Sequence, residues 1–374
     1  MLRLTGMVDI VVVHSPVGGG HKAAASAIAE AARAQGRSVE VLDAFEHAPR
    51  MFGEAYLGAH LAGQSAVPRF YGSAYFAANH RGGAFEPIRR NFDHVVFLAL
   101  LKRVCAMQPR VVVATHHLPL VVLGRARRRG WLSAPLVGVV TDYTAHACWA
   151  EKGVDAFAVA CARARHELVL HGVAPPRIAV TGLPVRADFD RIADVRAPSS
   201  GEPLRVLVTS GGFGVGPMEK VVASFAGVRD VELVVVCGRA DKLVDRVKRA
   251  ASEANVKANV LGFEREMAAR VADCHVVVGK AGGLTISEAM AAGRPMAIVA
   301  AVPGNEAINE EFVVGGGAGI ACAPEHVGSE LAKLRERGAL EAMGGRARSL
   351  VPRGSADRVV EWACGLAKRG SAAA

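Results

Sequence analysis

The chain has 374 residues, 51% of them hydrophobic and only 21% charged, so two domains of ordinary size can each bury a sizeable core. The apolar run Val95–Leu101 stops at Lys102, far short of the ~20 residues of a spanning helix, and Met1 leads into the strand-like Val8–Ser15 without a small-residue cleavage site, so neither a transmembrane segment nor a signal peptide is expected. The seven cysteines are odd in number, scattered and never spaced CxxC, which argues against a disulfide framework or a zinc site and reads as reduced cytosolic thiols. Charge is uneven. Residues 1–185 carry 20 Lys and Arg against 12 Asp and Glu, and the remainder 25 against 23. A basic first half suits an anionic membrane surface, nucleic acid or a phosphorylated substrate, or is simply a soluble basic protein. No nucleic-acid-binding motif accompanies it, so no nucleic-acid partner is expected.

In chain order, Val- and Ile-rich runs alternate with Ala-rich helical stretches, the pattern of βαβ units with parallel sheets. The first half predicts strands at Ile10–His14, Val39–Leu42, Val111–Thr115, Leu136–Thr141, Ala156–Ala160 and Ile178–Thr181. The second half predicts Arg205–Thr209, Glu232–Cys237, Lys257–Leu261, His275–Val278 and Met296–Ala300. Between them residues 186–203 mix Pro, Ser, Gly and charges without a period and read as a linker. The expected domains are thus 1–185, 204–355 and a C-terminal helix and tail over 356–374. Each half opens with a strand, a Gly-rich turn and a helix: VVVHSPVGGGHKAAASAIAEAA and VLVTSGGFGVGPMEKVVASFA. Glycine permits a tight turn and close backbone approach, and the helix start offers unpaired amides to an anion. Two such loops point to two facing Rossmann-like domains with a cleft between them. Neither loop fits GxGxxG, since the third glycine falls at Pro217, and Asp43 after the second strand is as readily a turn former as a ribose ligand.

In the second half three segments carry ligand chemistry. Ser210–Gly216 can turn its amides toward a phosphate through Gly211, Gly212 and Gly214. Gly262–Phe263 offers an aromatic ring to a flat base. In GKAGGLTISEAMAAGRPMAIV, residues 281–283 follow a strand and Thr285 adds a hydroxyl, with a helix expected over Ile286–Ala292 whose positive end faces the anion. Glu288 then lies near its first turn, either accepting from ribose hydroxyls or merely complementing the dipole.

KAGGLTISEAMAAGRPMAIVAAVPGNEAINEEF resembles the UDP-sugar site of glycosyltransferase family 28, and SGGFGVGP resembles the matching loop of its glycosyldiacylglycerol synthase branch. SPVGGGHKAAASAIAEA, AVPRFYGSAY, TDYTAHACWAEKGVDAFAV and RIAVTGLPVRADF extend the resemblance in family order across most of residues 8–320. It covers monogalactosyldiacylglycerol synthases and processive diacylglycerol glucosyltransferases; the peptidoglycan GlcNAc transferase is a more distant relative. The resemblance implies an α/β GT-B fold and an inverting hexosyltransferase, galactose or glucose passing from a UDP-sugar to diacylglycerol or a related lipid. No obligatory cofactor or metal is implied. By position, Phe263 would meet the uracil region, Glu288 the ribose, Gly282, Gly283, Leu284 and Thr285 the phosphates, and Glu306 and Asn309 the donor sugar. Asn305 departs from the Gln found in many relatives, which shortens the amide's reach by one methylene and leaves the sugar open.

Inversion requires a base for the acceptor hydroxyl. His21, after Gly19 and Gly20 at a helix start that disfavours the imidazolium, is the candidate, against a helix cap or a phosphate contact. Asp142 and His146, following the strand Leu136–Thr141, form a second pair in which Asp142 orients a histidine or is itself the base. Trp149 lines the acceptor path or fills the core, and Tyr71 falls in AVPRFYGSAY on the acceptor side. The adjacent His116 and His117 lack companions at metal spacing. Residues 45–97 hold 10 of the 20 aromatic residues mixed with arginines, and Arg125 with Arg127–Arg129 form a basic cluster. With a lipid acceptor implied, these suggest peripheral binding at the cytoplasmic face of the cell membrane. Two rival readings remain at this point, a UDP-sugar epimerase of the same architecture and a non-catalytic membrane-associated UDP-sugar sensor.

Overall fold

The computed structural model describes residues 8–17, 19–56, 58, 79, 95–194, 196, 202–212 and 214–372. Tyr71 and nearly all of the aromatic-rich stretch between 57 and 94 lie outside them. The described chain forms two units, residues 1–186 with 354–374, and residues 187–353.

In the first unit the elements run β1 (Ile10–His14), α1 (Gly19–Ala34), β2 (Val39–Asp43), α2 (Leu98–Ala106), β3 (Val111–Ala114), α3 (His117–Arg128), β4 (Leu136–Val139), β5 (Ala156–Val159), α4 (Ala162–Leu170) and β6 (Ile178–Val180). All strand pairs are parallel, in the order β2-β1-β3-β4-β5-β6. Strands β1, β3, β4 and β5 are buried at every position, the reason their sequences IVVVH, VVVA, LVGV and AFAV read as near-continuous apolar runs rather than as alternation.

The second unit contains α5 (Ala187–Asp190), β7 (Leu204–Thr209), α6 (Met218–Ala223), β8 (Val231–Val236), α7 (Asp241–Glu253), β9 (Ala258–Leu261), α8 (Met267–Ala272), β10 (Val276–Lys280), α9 (Gly283–Ala291), β11 (Met296–Ala300), α10 (Asn305–Gly315), β12 (Gly319–Ala321), α11 (Val327–Glu336) and α12 (Ala339–Leu350). Its sheet is also parallel, ordered β12-β11-β10-β7-β8-β9. All eleven expected strands are present. The twelfth, β12, escapes sequence reading because its three residues sit between glycine-rich and proline-bearing turns.

Two long-range packings set the unit limits. The final helix, α13 (Ser355–Ala372), places Val359, Val360, Ala363 and Cys364 in one core with Ile10, Val12, Ile28, Val111 and Val113. Burying such aliphatic side chains contributes about 1.5–3 kcal/mol each, so the end of the chain completes the first unit instead of extending the second. Conversely, the start of the expected linker is held by the second unit. Arg294, 4% exposed, donates to the carbonyls of Ala193, Val271, Ala272 and Ala292. Arg348 donates to Ile192 and pairs with Asp194 at 2.7 Å. Burying a guanidinium is tolerated only when its donors are satisfied, and these carbonyls supply that.

The strand orders mark where each sheet opens a crevice. In each sheet the chain reverses direction of winding next to its first strand, between β1 and β3 in one and between β7 and β10 in the other. Loops leaving the carboxyl ends of such a pair diverge to opposite faces and open a crevice.

Candidate active site

His21 stands at the reversal of the first sheet, in the first turn of α1. Its Nδ1 is 2.8 Å from the Thr115 carbonyl oxygen and 2.9 Å from Thr141 Oγ1. A carbonyl only accepts, so Nδ1 carries the proton and donates to it, and in the uncharged form of the ring the lone pair lies on Nε2. The Thr115 hydroxyl donates to the His21 backbone carbonyl at 2.9 Å, tying the helix start to the end of β3. His116, 3% exposed, packs edge-on against His21 with ring centroids 4.5 Å apart. Its own Nδ1 accepts from the Leu118 amide, capping α3. His117 follows at 4.3 Å from His116, and Trp149, 6% exposed, at 6.3 Å from His117. Gly19 and Gly20 form the first residues of α1, and Gly20 is half-buried.

Asp142, half-buried, leaves β4 next to Thr141. His146 is buried, and its Nδ1 accepts from the Cys148 amide at 3.2 Å, capping the short 3-10 turn Ala147–Trp149. Asp43 accepts from the Phe45 amide at 2.9 Å, the turn-forming role. It also faces the buried His14 at 3.9 Å, whose imidazole burial holds below its ordinary pKa while Asp43 pulls the other way. The arginine cluster is largely committed. Arg127 pairs with Asp155, Arg128 lies 3.7 Å from buried Glu151, and Arg129 stacks on Trp131.

At the reversal of the second sheet, the turn after β7 and the turn after β10 come together. A Cβ on Gly216 would lie 3.7 Å from the Lys280 side chain. Gly211 and Gly212 are half-exposed on the first turn. Gly214 has φ +69°, and a Cβ there would meet the Ala240 methyl at 2.3 Å, so only glycine closes the turn. After β10, α9 begins at Gly283, three residues before the sequence-based start. Gly282 is its N-cap and no side chain caps its first amides, those of Gly283, Leu284 and Thr285. This is the anion-binding end of a helix. The earlier start moves Glu288 to the sixth helical position, in the second turn, and no acid occupies the first turn. Half-buried Glu288 shares a face with Leu284 and Thr285, four and three residues before it.

The residues of PGNEAIN divide in their placement. Asn305 is the first residue of α10 and is half-buried. Glu306 accepts from Lys280 Nζ at 3.1 Å and from the Val302 amide at 2.8 Å, stitching the turns after β10 and β11 together. Asn309 is 0% exposed and its amide donates to the Ala281 carbonyl at 3.0 Å, holding the β10–α9 turn from inside. Phe263, after β9, is 51% exposed, and the Arg239 guanidinium lies 4.2 Å from its ring centroid. Sequence reading missed Thr115, Thr141, Lys280 as a side chain, and Arg239. The polar residue ending each strand was the available signal, but which strands neighbour His21 is a property of topology.

Among the described residues no three His, Cys, Asp or Glu gather as a metal-binding set, and no helix is long and apolar enough to cross a membrane.

A family model described as monogalactosyldiacylglycerol (MGDG) synthase matches residues 21–185, and one described as the glycosyltransferase family 28 C-terminal domain matches residues 206–338. A protein of Oryza sativa subsp. indica, assigned as monogalactosyldiacylglycerol synthase 2, chloroplastic, is 30% identical over 344 residues, covering 83% of this chain and 70% of that one. The chain belongs to glycosyltransferase family 28. Within it, the branch is that of the monogalactosyldiacylglycerol synthases and processive diacylglycerol glucosyltransferases. A processive diacylglycerol beta-glucosyltransferase of Bacillus subtilis is 29% identical to this family 28 transferase over 221 residues, 57% of each chain. The crystal structure of Acinetobacter baumannii MurG aligns with a TM-score of 0.64 at 18% identity, over 95% of this chain and 99% of that one. That likeness establishes the fold of the glycosyltransferase as GT-B. The family, rather than the fold, decides for glycosyl transfer over the epimerase alternative.

Proposed function

We propose that this glycosyltransferase moves a hexosyl group from a UDP-sugar to diacylglycerol or a related lipid, with inversion at the anomeric carbon. The observation that carries the reading is the 2.8 Å contact of His21 Nδ1 with the Thr115 carbonyl, which calls for a proton on Nδ1 and so puts the lone pair of the uncharged ring on Nε2. The acceptor oxygen attacks the anomeric carbon, its proton passes to Nε2, and the bond from that carbon to the diphosphate oxygen breaks with UDP leaving. In the second unit the uncapped amides of Gly283, Leu284 and Thr285 take the diphosphate and the dipole of α9 offsets its charge. Glu288 accepts from the ribose, Phe263 meets the base, and Asn305 is the half-buried amide beside the donor sugar. Glu306 and Asn309 position the turn that carries these amides.

The acceptor class rests on the relatives, which are named for diacylglycerol with both galactosyl and glucosyl transfer. Peripheral attachment to the cytoplasmic face of an anionic membrane is supported by the first unit's surface. Met51 and Val95 are 82% and 74% exposed, with Leu98 and the exposed cations Arg50, Lys102 and Arg103 on the same segments. The radiolabelled transfer screen offers UDP-galactose, UDP-glucose and UDP-GlcNAc to diacylglycerol in anionic and neutral vesicles, with products separated by chromatography. The expected result is a labelled glycolipid from a UDP-hexose, formed faster on anionic vesicles. UDP binding without any lipid product would sink the transfer reading in favour of a sensor.

Thr141 serves His21 as a second acceptor for Nδ1–H. Thr141→Val keeps the shape and leaves the Thr115 carbonyl in place, so turnover is expected to fall only about 3- to 10-fold with KM for the donor unchanged. Unchanged turnover would remove Thr141 from the base's support.

A further inference from the structure

Three loops at the carboxyl edge of the second sheet are joined, two by backbone and the third through a side chain. Gly238, after β8, has φ +63°, and a Cβ there would lie 2.4 Å from the Gly211 carbonyl oxygen. The next amide, that of Arg239, donates to the Gly212 carbonyl at 3.3 Å. The Arg239 side chain then turns onto the loop after β9, its guanidinium carbon 4.2 Å from the Phe263 ring centroid. Turns after β7, β8 and β9 are thereby fixed against one another, with an arginine and a phenylalanine standing at their rim.

Both side chains are exposed. Phe263 keeps 51% of its surface open even with the guanidinium beside it. Stacking at an exposed site stabilises by only about 0.5–1 kcal/mol, too little to explain the arrangement as a structural element. Among the described residues Arg239 has no carboxylate partner, so its fork of N–H donors is uncommitted while its position is set. A held guanidinium with unused donors, lying over one face of an aromatic ring that is otherwise open, suits a planar ligand that bears carbonyl oxygens.

We infer that Arg239 is a specificity-determining residue for the nucleobase, donating to a uracil carbonyl while the base packs on the open surface of Phe263. This rests on the donor reading given above. Uracil presents an acceptor oxygen where cytosine presents an amino group, so the same guanidinium N–H meets a partner in one base and another donor in the other. A site built around such a bond favours uracil, because the wrong base sets an amino group against the guanidinium and forfeits the bond.

Calorimetric titration of the full chain with UDP and with CDP tests this on wild type, Arg239→Met and Arg239→Lys. Melting temperatures confirm that the variants fold. Arg239→Met keeps an aliphatic stem on Phe263 but removes every donor, and is expected to weaken UDP about tenfold or more while changing CDP by less than about threefold. Arg239→Lys keeps the charge without the planar fork and should stay close to Arg239→Met. Equal losses for UDP and CDP, full recovery by lysine, or unchanged UDP affinity would each overturn the base-reading role. A wild-type protein that holds neither nucleotide would overturn the donor reading itself, and the Arg239 role with it.

Discussion

Replacing His21 by alanine is expected to cut lipid glycosylation by about 10²- to 10⁴-fold while UDP affinity stays at the wild-type level. The loss follows from the acceptor hydroxyl having no group to take its proton as it attacks. The structure makes the variant a clean one. His21 is bound to its surroundings through Nδ1 and through its backbone carbonyl, which accepts from the Thr115 hydroxyl, and that second bond survives truncation of the side chain. Helix α1 is also anchored by the buried residues Ala24, Ala25, Ile28 and Ala32, so its start should remain in place. Initial rates with labelled UDP-hexose, run beside UDP calorimetry, separate chemistry from binding. Turnover within tenfold of wild type would transfer the base role to another group, with Asp142, which follows Thr141, the next to replace.

Glu288→Ala is expected to act on the opposite quantity, weakening UDP by about 10- to 100-fold, the loss of a charge-assisted hydrogen bond to a ribose hydroxyl. Glu288 projects from the second turn of α9, one turn beyond the amides assigned to the diphosphate, and shares their face through Leu284 and Thr285. A thermodynamic cycle with 2′-deoxy-UDP makes the assignment specific. If Glu288 holds the ribose, removing the hydroxyl should weaken binding to wild type and leave binding to Glu288→Ala nearly unchanged. Equal losses in both proteins would move Glu288 off the ribose.

The placement of α9 shows how sequence and structure divide the work. KAGGLTISE reads as a Gly-rich turn with an acid near the helix start, and the turn is where that reading puts it. The helix begins earlier, at Gly283, because Gly282 in extended conformation serves as the cap and the Ile286 amide already donates to its carbonyl. Glycine and alanine at a helix start leave little in the local sequence to mark which residue is first. Glu306 and Asn309 show a different limit. Their spacing suits a ligand as well as it suits a turn, and the contacts to Lys280, Val302 and Ala281, which tie the turns together, are visible only in the structure.

By itself the sequence determined the βαβ class, eleven of the twelve strands among the described residues, the Gly-rich turn opening each half and the family, since these rest on local hydrophobic runs, glycine and contiguous motifs. Tertiary structure decided what depends on residues far apart in the chain. Thr115 and Thr141 reach His21 across 94 and 120 positions because β1, β3 and β4 are neighbours in the sheet. The last helix joins the first unit because its apolar face finds Ile10, Val12 and Val111 there. Arg239 meets Phe263 because parallel strands deliver successive loops to one edge, a consequence of sheet order that no local pattern encodes.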